Sequence, residues 1–140
     1  MRYWDASAIV PLLLEEPATK RVRSWLTKDP EIMTWWGTEV ECASAIARLE
    51  REPTQKGGAL TRAFRRLEEF SEAWIEVQPS EMVRHSAIRI LRVHPVRAAD
   101  ALQIAAALAA AEQRPSSLQF VSLDGRLTAV AEREGFSVLC

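Results

Sequence analysis

The sequence predicts an α/β protein in which a central, mostly parallel sheet of four or five strands lies between two layers of helices. Short apolar runs alternate with segments of helical length along all 140 residues. Segments of that length can cross back between parallel strands, and such crossovers cover both faces of a sheet. We therefore expect a three-layer α/β/α architecture.

Local signals set the element boundaries. Ser7 is a predicted cap for a first helix that ends at residue 14, Pro17 breaks the chain after it, and Pro53 with the Gly57-Gly58 pair predicts a turn. The predicted strands are residues 2–5, 32–35, 74–77, 119–123 and 136–139. The further predicted helices are residues 18–28, 38–51, 59–72, 80–93, 97–112 and 125–134.

Length and composition favour a single domain over residues 1–140. A hydrophobic content of 48% in 140 residues suits one sizeable core. There is no apolar run near the roughly 18 residues of a membrane span, and the first residues do not resemble a signal peptide, so we expect a cytoplasmic protein without membrane contact. The net charge of -1 says nothing about partners. Arginines concentrate in the middle third, which is typical of a solvated surface but would also suit a polyanion.

Four carboxylates stand where an apolar strand ends or a mostly apolar helix begins: Asp5, Glu41, Asp100 and Asp124. Function in parallel α/β sheets gathers beyond the carboxyl ends of the strands, where Asp5 and Asp124 are predicted to lie. Asp100 is the only charge in an alanine-rich stretch that is apolar nearly all round, and such a helix is normally buried. Because a buried ionised carboxylate is costly without a partner, we expect a cation to meet it.

Each acid also has an ordinary structural interpretation. Asp5 or Asp124 alone could cap a helix or shape a turn, and Arg97 could neutralise Asp100 as a structural pair. On an ideal helical wheel Glu41 lies on the polar side of its helix, whereas Glu39 points into the apolar arc. Periodicity by itself therefore slightly favours Glu39 as the inward acid.

Four segments of the chain resemble the motifs of PIN-domain ribonucleases, in particular the VapC-like toxins of prokaryotic toxin–antitoxin pairs. They occur in the family's order over essentially the full length. The four are YWDASAIV at residues 3–10, VECASAIAR at 40–48, RAADALQIAAA at 97–107 and FVSLDGRL at 120–127. The resemblance assigns Glu41 over Glu39. It implies a PIN-like fold and hydrolysis of RNA that leaves 5′-phosphate and 3′-hydroxyl ends.

The resemblance also implies a cofactor and partners. Asp5, Glu41, Asp100 and Asp124 would be the catalytic and metal-binding residues, with Asp5 and Asp100 as principal ligands of Mg²⁺ or Mn²⁺. Oxygen ligands suit these hard cations, which activate water and neutralise charge on phosphoryl oxygens, and the chain has few of the histidines and cysteines that softer metals prefer. The family implies an RNA substrate, a cognate antitoxin and a homodimer.

Two serines are predicted to hold the carboxylates in place by hydrogen bonds, namely Ser7 and Ser122. A helix cap and an ordinary strand serine are equally good interpretations of them. Some relatives carry a further acid or asparagine shortly after the position of Asp124, whereas this chain has Gly125-Arg126-Leu127. Whether one or two metal ions bind is therefore left open by the sequence.

Other functional classes fit less well. A phosphatase with an aspartate nucleophile needs a second acid two residues on, where this chain has Ser7. A phospho-accepting receiver domain needs a late lysine, and no lysine follows Lys56. The main alternative is a catalytically silent PIN-fold module that binds RNA or protein.

Overall fold

The computed structural model describes residues 1–52 and 57–140, and its elements follow the predicted alternation. The strands are β1 (Arg2–Trp4), β2 (Ile32–Trp35), β3 (Ile75–Val77), β4 (Gln119–Val121) and β5 (Ser137–Leu139). The helices are α1 (Ala6–Leu13), α2 (Thr19–Lys28), α3 (Thr38–Glu50), α4 (Gly57–Ala73), α5 (Glu81–Val93), α6 (Ala98–Ala110) and α7 (Gly125–Arg133). A short 3-10 helix, Pro115–Ser117, precedes β4. None of the helices in the described residues is long and apolar enough to cross a membrane.

The sheet confirms the predicted three-layer α/β/α class. Its five strands are all parallel and have the order β3-β2-β1-β4-β5. The chain moves outward from β1 in both directions, so the strand order reverses between β1 and β4. Trp4 pairs with Val121 at the carboxyl ends of these two strands, and the Asp5 backbone N–H donates to the Val121 carbonyl over 2.9 Å. The residues that follow β1 and β4 therefore lie side by side, at the position where open α/β sheets bind ligands.

Successive strand residues supply two apolar cores, one on each face of the sheet. Tyr3 and Phe120 pack with α5, α6 and α7, whereas Trp4 and Val121 pack with the helices from α1 to α4. Because side chains alternate along a strand, neighbours in sequence enter opposite cores. This two-sided burial fixes β1 at the centre of the molecule and holds Asp5 at a defined position.

The start of α1 differs from the prediction. Ser7 is not the cap: Asp5 is, with an extended backbone and a carboxylate that accepts a hydrogen bond from the Ser7 backbone N–H. The strand thus passes directly into the helix, and the first N–H groups of α1 receive their acceptor from the last residue before it. The Gly57-Gly58 pair opens α4 instead of forming a turn, because burial of Leu60 along the amphipathic helix outweighs the low helix propensity of glycine. The predicted turn residue Pro53 lies outside the described residues.

Gly37 fixes the beginning of α3. A Cβ atom at this position would lie 2.5 Å from Nε1 of Trp35, which is closer than side chains tolerate. The chain can therefore make its close approach to the indole ring only with glycine. This approach sets the position of Thr38 and Glu41 in the first turn of α3.

Away from the carboxyl edge of β1, a charged cluster joins the ends of α5 and α7. We call Arg89, His94 and Glu134 the Glu134 cluster. Arg89 donates to both carboxylate oxygens of Glu134, over 3.1 and 2.5 Å, and Nε2 of His94 lies 2.7 Å from Glu134 Oε1. The side chains of His94 and Glu134 are only 6% and 10% exposed. This buried carboxylate is therefore compensated by cationic and hydrogen-bonding partners from within the chain.

Candidate active site

A cavity of about 500 Å³ opens at the carboxyl edge of β1 and β4. All four carboxylates predicted from the sequence line it. The lining residues are Asp5, Ala6, Ser7, Val10, Val40, Glu41, Ser44, Ala45, Arg48, Asp100, Asp124 and Leu127. Residues 95 positions or more apart in sequence, such as Asp5 and Asp100, thus contribute to one acidic surface because the parallel strands and their following helices end at the same edge.

Asp5 is the buried centre of this surface, with 4% of its surface exposed. Its Oδ2 atom accepts three hydrogen bonds: from the Ser7 backbone N–H over 3.2 Å, from the Ser7 hydroxyl over 2.5 Å and from the Ser122 hydroxyl over 2.9 Å. In the described residues no protein donor occupies Oδ1. One oxygen is therefore held by the fold, and the other is free to bind a ligand.

The two serines connect Asp5 to the residues after β4 by hydrogen bonds. The hydroxyl of Ser7 accepts from the Leu123 backbone N–H over 2.8 Å, and that of Ser122 accepts from the Asp124 backbone N–H over 3.1 Å. Each hydroxyl then donates its own hydrogen to Asp5. The side-chain contacts predicted for Ser7 and Ser122 are present in the structure, although their importance for activity stays a prediction.

Glu41 lies half-buried in the first turns of α3 and is held from α6. Its Oε1 accepts a hydrogen bond of 2.9 Å from Nε2 of Gln103. Glu39 is exposed. The wheel interpretation that favoured Glu39 was wrong because the buried stripe of α3 runs through Thr38, Cys42 and Ile46, and the cavity borders the side of that stripe on which Glu41 lies.

The acids in this cavity are electrostatically unfavourable to one another. Burial raises the pKa of Glu41 from 4.5 to about 7, and the negative charge of Asp5 raises it further. The hydrogen bond from Gln103 opposes this increase, and the charge of Asp100 adds the smallest contribution to it. Burial also raises the pKa of Asp5, against the lowering effect of its hydrogen bonds from Ser7 and Ser122. The raised pKa values agree with the absence of an ion pair to either carboxylate among the described residues.

Asp100 differs from the prediction in its burial. It lies in the first turn of α6, where its carboxylate accepts from the Arg97 backbone N–H over 3.4 Å, and it is partly exposed. The residues of α6 that are fully enclosed begin at Ala101. The first turn of α6 lines the cavity. Asp100 is therefore more exposed to solvent than its apolar sequence neighbours led us to expect. No ion pair joins the Arg97 side chain to Asp100 in the described residues, so the structural-pair interpretation has no support.

Asp124 both caps a helix and lines the cavity. It caps α7, where Oδ1 accepts from the backbone N–H groups of Arg126 and Leu127 over 2.8 and 3.1 Å. It also lines the cavity and is exposed. The capping interpretations of Asp5 and Asp124 are therefore correct, and they coexist with a place at the cavity.

The sequence prediction missed Gln103 and its buried partners. Gln103 is 1% exposed and bonds to Tyr3, Thr38 and Glu41. Thr34 continues this network toward β1: its hydroxyl donates to the Trp4 carbonyl over 2.7 Å and lies 2.8 Å from the Thr38 hydroxyl. One signal was available: Gln103 is the only other polar residue of the apolar stretch around Asp100, three positions later and so on the same side of the helix.

The donor set fits a hard divalent cation. All four acids offer carboxylate oxygens, and the burial of Asp5 without a cationic partner would be relieved by a bound cation. Among the described segments, no three Asp, Glu, His or Cys side chains are arranged as a group that could hold a metal ion. The acids nevertheless line one cavity, where burial and then the charge of Asp5 raise the Glu41 pKa.

Comparisons with known proteins agree with this architecture. The crystal structure of FitAcB from Neisseria gonorrhoeae is similar with a TM-score of 0.66 at 20% identity, over 100% of this chain and 97% of that one. The structure of FitAB bound to an IR36 DNA fragment is similar with a TM-score of 0.67 at 19% identity, over 99% and 94%. These likenesses establish the fold. A comparison with curated proteins gave no match. The family model described as PIN domain matches residues 2–133, so the chain belongs to the PIN domain family.

Proposed function

We propose that this protein is a metal-dependent endoribonuclease and the toxin of a toxin–antitoxin pair. One observation carries the proposal: Asp5 is buried with a raised pKa and no cationic partner in the described chain, while Glu41, Asp100 and Asp124 line the same cavity. Carboxylates with raised pKa values that meet in a cleft are typical of functional sites. They lower the stability of the fold, and a function explains why they are retained. Membership of the PIN domain family supports nuclease chemistry.

Mg²⁺ or Mn²⁺ is the proposed cofactor. Asp5 and Asp100 would be its principal ligands, with Glu41 and Asp124 binding the ion or its waters. When bound, the cation would supply the positive charge that activates water and offsets the charge on the phosphoryl oxygens. The protein's part is to hold Asp5 with the two serine hydroxyls and Glu41 with Gln103, so that little reorganisation is needed at the moment of reaction.

Arg48 supplies positive charge at the cavity. It lies on α3 two turns after Glu41, and its side chain is exposed. A guanidinium there would contact the phosphate backbone of an RNA strand and so offset the repulsion between the strand and the acids. It would position RNA without reading its sequence.

The partners are proposed from the family resemblance. A VapC-like toxin would be inhibited by a cognate antitoxin that covers the acidic cleft, and would form a homodimer. The likeness to FitAB, whose structure was solved bound to a DNA fragment, supports a complex with a DNA-binding antitoxin. In this proposal residues 1–140 act as one cytoplasmic domain.

Cleavage of RNA by the purified full chain tests the nuclease proposal. End-labelled total RNA should be cut in Mg²⁺ or Mn²⁺ and left intact in EDTA. Asp5→Asn keeps an oxygen acceptor for Ser7 and Ser122 but removes the charge, and should lower the rate more than about 100-fold, beyond the usual effect of residues that only support a metal ligand. As a matched control, Asp29→Asn removes a surface carboxylate that is paired with the amino terminus and should cleave like wild type.

Three results would contradict the nuclease proposal. Undiminished cleavage in EDTA would rule out the metal-dependent reaction, and wild-type rates in Asp5→Asn would remove Asp5 from it. If wild type leaves all of the total RNA intact with either cation, the alternative of a silent RNA- or protein-binding module becomes the better account.

A further inference from the structure

The buried amide of Gln103 has no role in packing that an apolar side chain would not perform better. It lies 1% exposed on the face of α6 that enters a core of alanine, isoleucine and leucine. Burying an amide costs free energy unless all its polar atoms find partners. Those partners should therefore explain why the amide is there.

Both polar atoms of this amide have partners, and both of its N–H groups are used. Oε1 accepts from the Tyr3 hydroxyl over 2.8 Å, and Nε2 donates to the Thr38 hydroxyl over 3.0 Å and to Glu41 Oε1 over 2.9 Å. The opposite amide orientation would place Oε1 against the ionised Glu41 carboxylate, the form that binds a cation, and leave two acceptors without a hydrogen between them. The network therefore presents an N–H group to Glu41.

The far end of the network is rigid. The Tyr3 ring stacks on Phe120 with ring centroids 5.3 Å apart, and both side chains are fully buried in the sheet face. Gln103 thereby connects the adjacent strands β1 and β4 to the first turns of α3. Since Gln103 lies three residues after Asp100 on α6, the same helix places one acid and restrains another.

We propose that Gln103 is a positioning residue for Glu41, which fixes Glu41 Oε1 and leaves Oε2 to face the cation or one of its waters. The inference rests on the proposed metal-dependent function and names the residue that orders its site. In the described residues the Glu41 side chain has no hydrogen bond other than the one from Gln103. Without it the Glu41 side chain is free to turn away from the cavity and from Asp5, whose charge repels it.

Mn²⁺ affinity measured by calorimetry tests this inference without relying on cleavage. Gln103→Met keeps the length of the side chain but removes both N–H donors, and should raise the Mn²⁺ dissociation constant by about 10- to 100-fold, the usual effect of losing a residue that orients a metal ligand. Tyr3→Phe keeps Gln103 but removes one of its anchors. It is the milder substitution and should weaken Mn²⁺ binding less than Gln103→Met.

A control and a double variant separate positioning from general destabilisation. Thr19→Val removes buried hydrogen bonds to the Pro11 and Leu14 carbonyls, away from the cavity, and should leave Mn²⁺ affinity unchanged despite lower stability. If Gln103 acts through Glu41, then Gln103→Met should have little further effect on Mn²⁺ affinity in a Glu41→Gln background.

The outcomes distinguish this inference from the proposed function. Wild-type Mn²⁺ affinity in folded Gln103→Met and Tyr3→Phe, or an undiminished effect of Gln103→Met in the Glu41→Gln background, would overturn the positioning role while leaving the nuclease proposal in place. Absence of Mn²⁺ binding by wild type would overturn both. A weakened affinity that depends on Glu41 supports the role even if no RNA substrate is cut.

Discussion

Two regions of this molecule bury carboxylates, and they treat the charge in opposite ways. In the Glu134 cluster, hydrogen bonds from Arg89, and to a smaller extent from His94, hold the pKa of Glu134 below its usual value despite burial. In the cavity, burial and neighbouring acids raise the pKa values of Asp5 and Glu41. None of the ion pairs in the described residues involves a carboxylate of the cavity.

The difference shows that burial alone does not explain the acidic cavity. The fold places Arg89 and His94 against Glu134, so this protein can provide a poorly exposed carboxylate with partners from its own chain. At the carboxyl edge of β1 the side chains of the described residues that donate hydrogen bonds to the acids are neutral, namely Ser7, Ser122 and Gln103. Arg48 lines the same cavity but forms no ion pair with these acids in that part of the chain. We interpret the missing charge as the place of an external cation, at a cost to stability that a structural cluster would avoid.

The largest expected change in the free energy of unfolding comes from neutralising Glu41. Because its folded pKa is raised from 4.5 to about 7, the cation-free protein should lose stability as the pH rises from about 4.5 to 7, by up to about 3 kcal/mol. Glu41→Gln should remove this loss and melt at a higher temperature than wild type in EDTA at pH 8. Denaturant unfolding of both proteins across this pH range measures it. A less stable Glu41→Gln would mean that the Glu41 charge is compensated, and the comparison would fail.

A smaller effect of opposite sign is expected from Glu134→Gln. This variant keeps the shape of the side chain but removes the charge that Arg89 and His94 meet, and should cost about 1 to 2 kcal/mol at pH 7. Since the folded pKa of Glu134 is lowered, its contribution is present above the ordinary glutamate pKa and disappears as the pH falls through the folded value. Denaturant unfolding in EDTA at pH 7 and at pH 3 tests this. Equal destabilisation at both pH values would show that the charge is not what matters.

Strand ends and their acids were predictable because the signal is local. A short apolar run followed by Asp5 or Asp124 indicates both the end of a strand and the edge of the sheet where the side chain lies. The parallel sheet then brings the two together, since β1 and β4 are adjacent. A capping role was an alternative for both acids, because aspartate before a helix serves as an N-cap, although Ser7 was predicted as the cap of α1.

Sequence periodicity could not predict which residues of α3 and α6 meet the cavity, because this depends on how the two helices pack in the fold. Glu39 and Glu41 differ by two positions, and the packing of α3 against α1 and α4 decides which of them meets the cavity. Periodicity favoured Glu39, whereas the family resemblance pointed to Glu41, which is the one that lines the cavity. Asp100 was expected in the interior because its neighbours are apolar, but burial of α6 begins one residue later. Gln103 was missed because its partners come from β1 and α3, 62 and 100 positions away at the extremes.

The most direct test of the central claim is the melting temperature of wild type and Asp100→Asn, each in EDTA and with excess Mg²⁺. Wild type should gain about 2.7 kcal/mol at a Mg²⁺ concentration of about 100 times Kd, or several degrees for a chain of this length. Asp100→Asn should melt at the same or a higher temperature than wild type in EDTA, and should not respond to Mg²⁺. A strongly destabilised Asp100→Asn in EDTA that still gains the full Mg²⁺ stabilisation would contradict the account, because Asp100 would then be a structural residue and the cavity would not be the cation site.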